Sequence, residues 1–205
     1  TTSLFVGGLF STIGGGYYRN KIAEIYLGGS NATGWDPNAN GNVHTLSLVG
    51  STLYVGGEFT TISGVSRDRL ASYTLSNGVI TSWYPGANNT VYSIAVNGTT
   101  VYAAGSFTTI GGGAARNRIG AVNSTTGVAT TWNPNSNSNV FSLLFSAGTL
   151  YVGGEFTSIG GQTRNRIGAV DATTALATSF NPNSNGVVYS VASYGTTIYA
   201  AGLFG

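Results

Sequence analysis

Few residues in this chain are equipped for chemistry. Its 205 residues include one histidine, His44, no cysteine and six acidic side chains. A catalytic triad, a metal cluster or a nucleophile elbow needs several reactive groups brought together, and no spacing here supplies them. The one paired feature is Glu58 and Glu155, which follow identical Val-Gly-Gly triplets 97 positions apart. Two carboxylates flanking a sugar are the machinery of a glycosidase. Here a whole repeat unit stands between them, so ion pairs with nearby Arg motifs are their expected use. The segment Asp36-Pro37-Asn38-Ala39-Asn40-Gly41 opens like a calcium loop, D-x-N-x-N-G. Six residues after Gly41, where such a loop needs a carboxylate, stands Ser47, so no metal is expected. VGGEFTSIGG and IGGG are Gly-rich, but no Lys follows and no helix starts, which removes a phosphate-loop reading. The residues predict no enzyme, no cofactor and no metal.

The elements that carry these residues repeat. LFVGGLFS at Leu4 returns as LYVGGEFT at Leu53, VYAAGSFT at Val101, LYVGGEFT at Leu150 and IYAAGLFG at Ile198, with starts 48 or 49 residues apart. A fixed period of this size means a repeat architecture. One unit reads as four short strands: Val91–Val96, Val101–Phe107, Arg118–Asn123 and Val128–Pro134. Asn97-Gly98 is a tight-turn signal between the first two. Four strands every 40–50 residues predict an all-β fold, a β-propeller of four-stranded blades. The repeats run over 4–52, 53–100, 101–149 and 150–197, with a partial one at 198–205, in one domain. The Gly-Gly or Ala-Ala pair inside strand two predicts close approach of another backbone. Odd and even units differ by one residue between strands two and three. Four repeats leave one surplus strand two, so the natural protein has more blades or the strand pairs with another molecule.

Three motifs recur once per unit. All eight cations lie in Arg19-Asn20-Lys21, Arg67-Asp68-Arg69, Arg116-Asn117-Arg118 and Arg164-Asn165-Arg166. On a strand the two cations would share a face. The favoured role is structural, guanidinium forks tied to carbonyls, over a cationic ring for an anionic polymer. The second motif is Trp35-Asp36-Pro37, Trp83-Tyr84-Pro85, Trp132-Asn133-Pro134 and Phe180-Asn181-Pro182, read as packing rather than sugar platforms. After it comes an Asn-rich loop holding Asn38, Asn40, Asn88, Asn137 and Asn185. Its ordinary role is capping its own turns. It shares a face of the propeller with the Arg loop, however, and that is the face on which a ligand is expected. His44 opens a strand where sister units have Tyr92, Phe141 and Tyr189, and reads as an inner-strand substitution. N-x-[ST] sequons place possible N-glycosylation at Asn31, Asn88, Asn97 and Asn123.

Composition narrows the classes. Only 7% of residues are charged, 41% are hydrophobic and 12% aromatic, so a packed core is within reach. No apolar run approaches the length of a membrane span. Net charge is +2 with little aromatic interleaving of the basic motif, which argues against nucleic acid. Low charge with many Thr, Ser and Asn predicts an extracellular or cell-surface protein. The absence of any Met predicts a processed product or a segment of a longer chain.

The unit from Gly153 to Ala192, carrying GGEFTSIGG, RNRIGAV and FNPNSNGVVYS, resembles the delta-60 type β-propeller repeat of large secreted or surface bacterial proteins. The resemblance extends over the chain and implies a non-enzymatic propeller with no catalytic residue to carry over. The second unit departs most, at Ser63-Gly64, Arg67-Asp68-Arg69 and Trp83-Tyr84-Pro85-Gly86. The expectation is therefore a scaffold or binding module that associates with copies of itself through edge strands. A multivalent lectin using the Asn and Arg loops is the alternative.

Overall fold

The computed structural model describes residues 3–205 and is all-β, without helices. The longer strands form five successive sheets in chain order, with four small two-stranded sheets between them. The first pairs Ser3–Gly7 with Ile22–Tyr26. The second holds Val43–Val49, Thr52–Gly57, Leu70–Thr74 and Val79–Ile80. The third holds Val91–Asn97, Thr100–Gly105 and Ile119–Asn123. The fourth holds Val140–Ser146, Thr149–Gly154 and Ile167–Asp171. The fifth pairs Val188–Tyr194 with Thr197–Gly202. All ladders are antiparallel, and strands one, two and three of the third and fourth sheets pair in that order. Each turn between strands one and two puts a glycine at positive φ, as at Gly98 with φ 56°.

Two elements differ from the sequence reading. Strand four is largely absent. It survives as Val79–Ile80 in the second sheet and as single bridges Ile25–Ala32, Val122–Ala129 and Val170–Ala177 elsewhere. Its backbone groups are claimed by other partners. In each unit a threonine two residues before the Trp or Phe accepts that aromatic's N–H on its hydroxyl (Thr33, Thr81, Thr130, Thr178). The same threonine's carbonyl accepts a guanidinium N–H from Arg19, Arg67, Arg116 or Arg164. The threonine amide still donates to strand three, as Thr130 does to Ala121 at 2.8 Å, but with its carbonyl taken by arginine the ladder stops there.

The loop between strands two and three is not irregular either. It folds into a small hairpin in four units: Thr12–Ile13 with Tyr17–Tyr18, Thr61–Ile62 with Val65–Ser66, Thr109–Ile110 with Ala114–Ala115, and Ser158–Ile159 with Gln162–Thr163. The one-residue difference between odd and even units is the hairpin tip. Even units turn on two residues at positive φ, Ser63-Gly64 and Gly160-Gly161, and odd units on three glycines.

The cores lie between sheets rather than within one. Tyr102, Ile119 and Trp132 of the third unit pack with Val140, Leu150 and Phe156 of the fourth. Equivalent clusters join the second to the third unit and the first to the second. Phe59, Phe107 and Phe156 are fully buried, each worth roughly 2–3 kcal/mol by area. The small pair in strand two permits this stacking. A Cβ on Gly56 would lie 2.9 Å from Val91 Cγ1 of the next sheet, and one on Gly153 would lie 2.7 Å from Val188 Cγ1. Inner strands are also stitched sheet to sheet. The amides of Ile94, Leu143 and Val191 donate to the hydroxyls of Thr45, Ser93 and Ser142 of the preceding sheet, at 3.0–3.2 Å.

Candidate functional site

The start of strand one and the end of strand two lie at the same end of each sheet, beside the Asn-rich loop. Strand one is bulged there. The register jumps from Val43 to Thr45, Val91 to Ser93, Val140 to Ser142 and Val188 to Ser190. The extra residue in each case is aromatic: His44, Tyr92, Phe141 and Tyr189. A bulge takes a side chain out of the ladder and re-aims it. The four rings line up across sheet boundaries, with centroids 5.4 Å, 5.3 Å and 5.5 Å apart in succession. Each of the last four sheets thus gives one ring to a continuous aromatic arc along their first strands. His44 and Tyr189 are exposed, and Tyr92 and Phe141 half-buried.

Glycine makes the bulge possible. A Cβ on Gly57, Gly105, Gly154 or Gly202 would fall about 2 Å from the carbonyl oxygen of Asn42, Thr90, Asn139 or Val187. Directly after this glycine come Glu58 and Glu155, whose amides donate to Asn42 and Asn139 carbonyls at 2.8 Å and 2.9 Å. Their carboxylates accept from the Asn42 and Asn139 side-chain amides at 2.9 Å and 3.1 Å. Glu58 also meets His44 Nε2 at 2.9 Å. The expected ion pairs between these glutamates and Arg do not form. Among the described residues the acid–base pairs are Arg19–Asp36, Arg69–Asp68 and His44–Glu58. The Arg side chains lie farther out, at the start of strand three.

The basic tripeptide is not strand. Its second cation is left-handed in every unit, with φ 67° at Lys21, 65° at Arg69, 65° at Arg118 and 62° at Arg166. The two cations therefore do not share a strand face. Arg116 donates to the carbonyls of Ala115 at 2.7 Å, Trp132 at 3.1 Å and Thr130. The left-handed turn also carries the backbone between strands, with Arg118 N–H on Phe107 O and Gly105 N–H on Arg118 O, both at 2.8 Å.

Asn side chains of the loop serve the fold. Asn137 Oδ1 accepts the amides of Thr157 and Ser158 at 2.9 Å and 3.1 Å, and its Nδ2 donates to Thr157 Oγ1 at 2.7 Å. Asn40 and Asn88 make the same three bonds to Thr60–Thr61 and Thr108–Thr109. Asn185 makes two bonds, donating to the Gly205 carbonyl at 3.0 Å and accepting the Gly205 amide at 3.4 Å. Asn38 is left-handed, φ 50°, and accepts from Asn20 at 2.6 Å. In the second unit this pair becomes Tyr84 donating to Asp68 at 2.5 Å, a bond that raises the Tyr84 phenol pKa. Asn137→Ala removes the clamp and leaves two amides short of a partner. It is expected to cost about 2 kcal/mol, read as a lower urea midpoint at unchanged slope.

Trp83 and Trp132 are buried and face the next sheet. The indole N–H groups of Trp35, Trp83 and Trp132 donate to the carbonyls of Gly78, Asn123 and Asp171, each at 3.0 Å. Burial raises the phenol pKa of Tyr102, which packs edge-on against Trp132. The backbone amides of Thr174 and Thr173 lower that of the Asp171 carboxyl. Of the sequon residues, Asn31 and Asn97 are exposed, Asn123 Oδ1 caps Thr125 and Thr126, and Asn88 is clamped. Among the described residues no group of three or more His, Asp or Glu could hold a metal ion, and no helix is long and apolar enough to cross a membrane. A cavity of about 150 Å³ lies between the first two sheets beside Phe5, Trp35 and Tyr73. Its Glu24 is already held by Ser3 and Thr33 hydroxyls at 2.6 Å and 2.9 Å.

Reading the sequence alone missed the arc. The sign was available: one aromatic per unit, always after the valine that opens strand one, save for the histidine.

Comparison with known proteins agrees with the architecture. A β-propeller domain of unknown function, DUF5122, matches residues 148–167. No curated protein matches the chain in sequence. Among solved structures, the computationally designed Ika8 protein is similar with a TM-score of 0.63 at 12% identity, over 98% of this chain and 53% of that one. The computationally designed Ika4 protein is similar with a TM-score of 0.57 at 12% identity, over 80% and 87%. The chain thus spans about half the length of the designed Ika8 protein. The fold is all-β, and its repeat is of β-propeller kind.

Proposed function

We propose that the chain is a non-enzymatic, extracellular β-propeller module of the delta-60 type, in which the fourth strand of each repeat is cut down to a short strand or a single bridge. It serves as a scaffold or binding module and associates with other copies through its terminal strands. The observation that carries the non-enzymatic reading is how polar groups are used. Arg and Trp side chains bond backbone carbonyls, Asn137 accepts backbone amides and bonds a threonine hydroxyl, and among the described residues the two glutamates have no acid or base partner other than His44. The edges support association. In the third and fourth sheets strand two is paired on both sides, whereas Thr197–Gly202 is paired only with Val188–Tyr194. Tyr199 on that strand and Leu203 just after it are more than half exposed. An open edge with apolar side chains is a template for another strand.

Sedimentation of the purified chain tests this. Concentration-dependent association is expected, and deletion of Ile198–Gly205 is expected to leave a monomer with unchanged circular dichroism. Association that survives the deletion overturns the strand-pairing mechanism. The lectin alternative on the Asn and Arg loops draws less support, because the amides of Asn40, Asn88 and Asn137 are committed. A glycan array reads it directly.

A further inference from the structure

The geometry points to a binding site for an organic cation, a primary or quaternary ammonium, on the arc of His44, Tyr92, Phe141 and Tyr189, with Glu155 and Glu58 as counter-ions. This deepens the proposed binding role and rests on it.

Four sheets each place one aromatic on the arc, and the bulge that does so recurs at the same register every time. The rings are held at 5.3–5.5 Å spacing by a rigid inner edge rather than by a loop. Interplanar angles of 65°, 59° and 42° fan the rings instead of stacking them flat, so neighbours close on one another without a parallel stack. Aromatic faces carry the negative part of the ring quadrupole and attract a desolvated cation.

The carboxylates agree in sign. Glu155 follows the glycine opposite the Phe141 bulge, as Glu58 follows the glycine opposite His44. Each is oriented by an asparagine amide. The remaining oxygen of Glu58 meets His44. Phe141 stands in the place of that histidine next to Glu155 and cannot donate, so the second Glu155 oxygen has no protein partner among the described residues. No protein cation competes for it. All eight Lys and Arg belong to the four tripeptides, whose first arginines are bound to carbonyls.

The free polar groups also select the ligand class. The Asn42 and Asn139 amide donors are spent on the glutamates. What remains is a carboxylate oxygen, which only accepts, and tyrosine hydroxyls, which donate as well as accept. A negative charge beside π faces favours a cation over a neutral sugar.

Choline is the probe, with 3,3-dimethyl-1-butanol as its uncharged isostere, and binding is read by the ring NMR resonances of the four arc residues. Choline is expected to shift them saturably and the isostere is not. Glu155→Gln, an exposed and conservative change, is expected to weaken choline several-fold, and Phe141→Leu about tenfold. Thermal melts confirm that both variants fold. Equal binding of the isostere, choline binding untouched by both variants, or resonances that choline does not move each overturn the assignment. A cello-oligosaccharide that saturates the same resonances while choline is inert overturns it too, yet leaves the non-enzymatic binding role standing. Cleavage of that oligosaccharide would instead overturn the binding role itself.

Discussion

Gly105→Ala is expected to destabilise the protein by about 3 kcal/mol or more, while the repeat-equivalent change Gly8→Ala is expected to be nearly neutral. Gly105 is the last residue of strand two in its unit, and Gly8 lies just after Ser3–Gly7 at the equivalent sequence position. At Gly105 an added Cβ would sit 1.9 Å from the Thr90 carbonyl oxygen. That oxygen accepts the Ser106 amide at 3.0 Å, so it cannot retreat without breaking the bond that closes the bulge. Overpacking a well-ordered site costs 1–3 kcal/mol, and more where backbone must move. At Gly8 the same Cβ meets only the Phe10 ring, at 3.4 Å. Among the described residues Ser3–Gly7 is paired only with Ile22–Tyr26. Neither glycine has a positive φ, so the contrast isolates close approach from backbone preference. Urea unfolding of the two variants beside the parent decides it. Equal effects in the two variants would mean that contact with strand one is not what requires glycine at Gly105, since relief of unfolded-chain entropy alone would make either change slightly stabilising. The Gly105 variant should also disturb Tyr92, because the bulge that presents this ring depends on the same approach.

Strands one to three are legible because their determinants are local and repeated. Val91–Asn97 and Thr100–Gly105 emerge from an apolar run, an Asn-Gly turn and a fixed period, and their observed bounds differ from the expected ones by at most two residues. Strand four is not legible, because its loss is decided by residues elsewhere. Val128-Ala129-Thr130-Thr131 has good strand propensity, but Arg116 takes the Thr130 carbonyl and the Thr130 hydroxyl takes the Trp132 amide. The small hairpin was hidden for a related reason. Two-residue strands such as Thr109–Ile110 leave no periodicity to read, and only the glycines at the tip mark them. His44 illustrates the limit for the site. Its sister positions Tyr92, Phe141 and Tyr189 are aromatic in the sequence, but that four bulges bring the rings side by side appears only from the register.

Trp132→Ala is expected to cost about 4 kcal/mol and Trp132→Phe about 1–2 kcal/mol, both by urea midpoint. The indole lies against Tyr102 with centroids 5.0 Å apart and donates to the Asp171 carbonyl of the next sheet. Alanine empties a buried site between two sheets, whereas phenylalanine keeps most of the volume and loses the hydrogen bond. The last unit has made the second change itself, with Phe180 edge-on to Tyr151 at 5.2 Å. That unit lacks an indole donor altogether. The site of the damage is as informative as its size. If the tryptophan joins sheets, amide exchange after Trp132→Phe should rise at the turn following Asp171, 39 residues away in sequence. It should rise less within Ile119–Asn123, the strand of its own sheet. Tyr102 reaches the same turn through its hydroxyl, 3.1 Å from the Ala172 carbonyl, so Tyr102→Phe should reproduce part of the exchange effect at smaller cost. Faster exchange confined to the third sheet would make Trp132 an ordinary core residue. The joint between units would then rest on the valine–glycine contacts and the hydroxyl bridges of the inner strands alone.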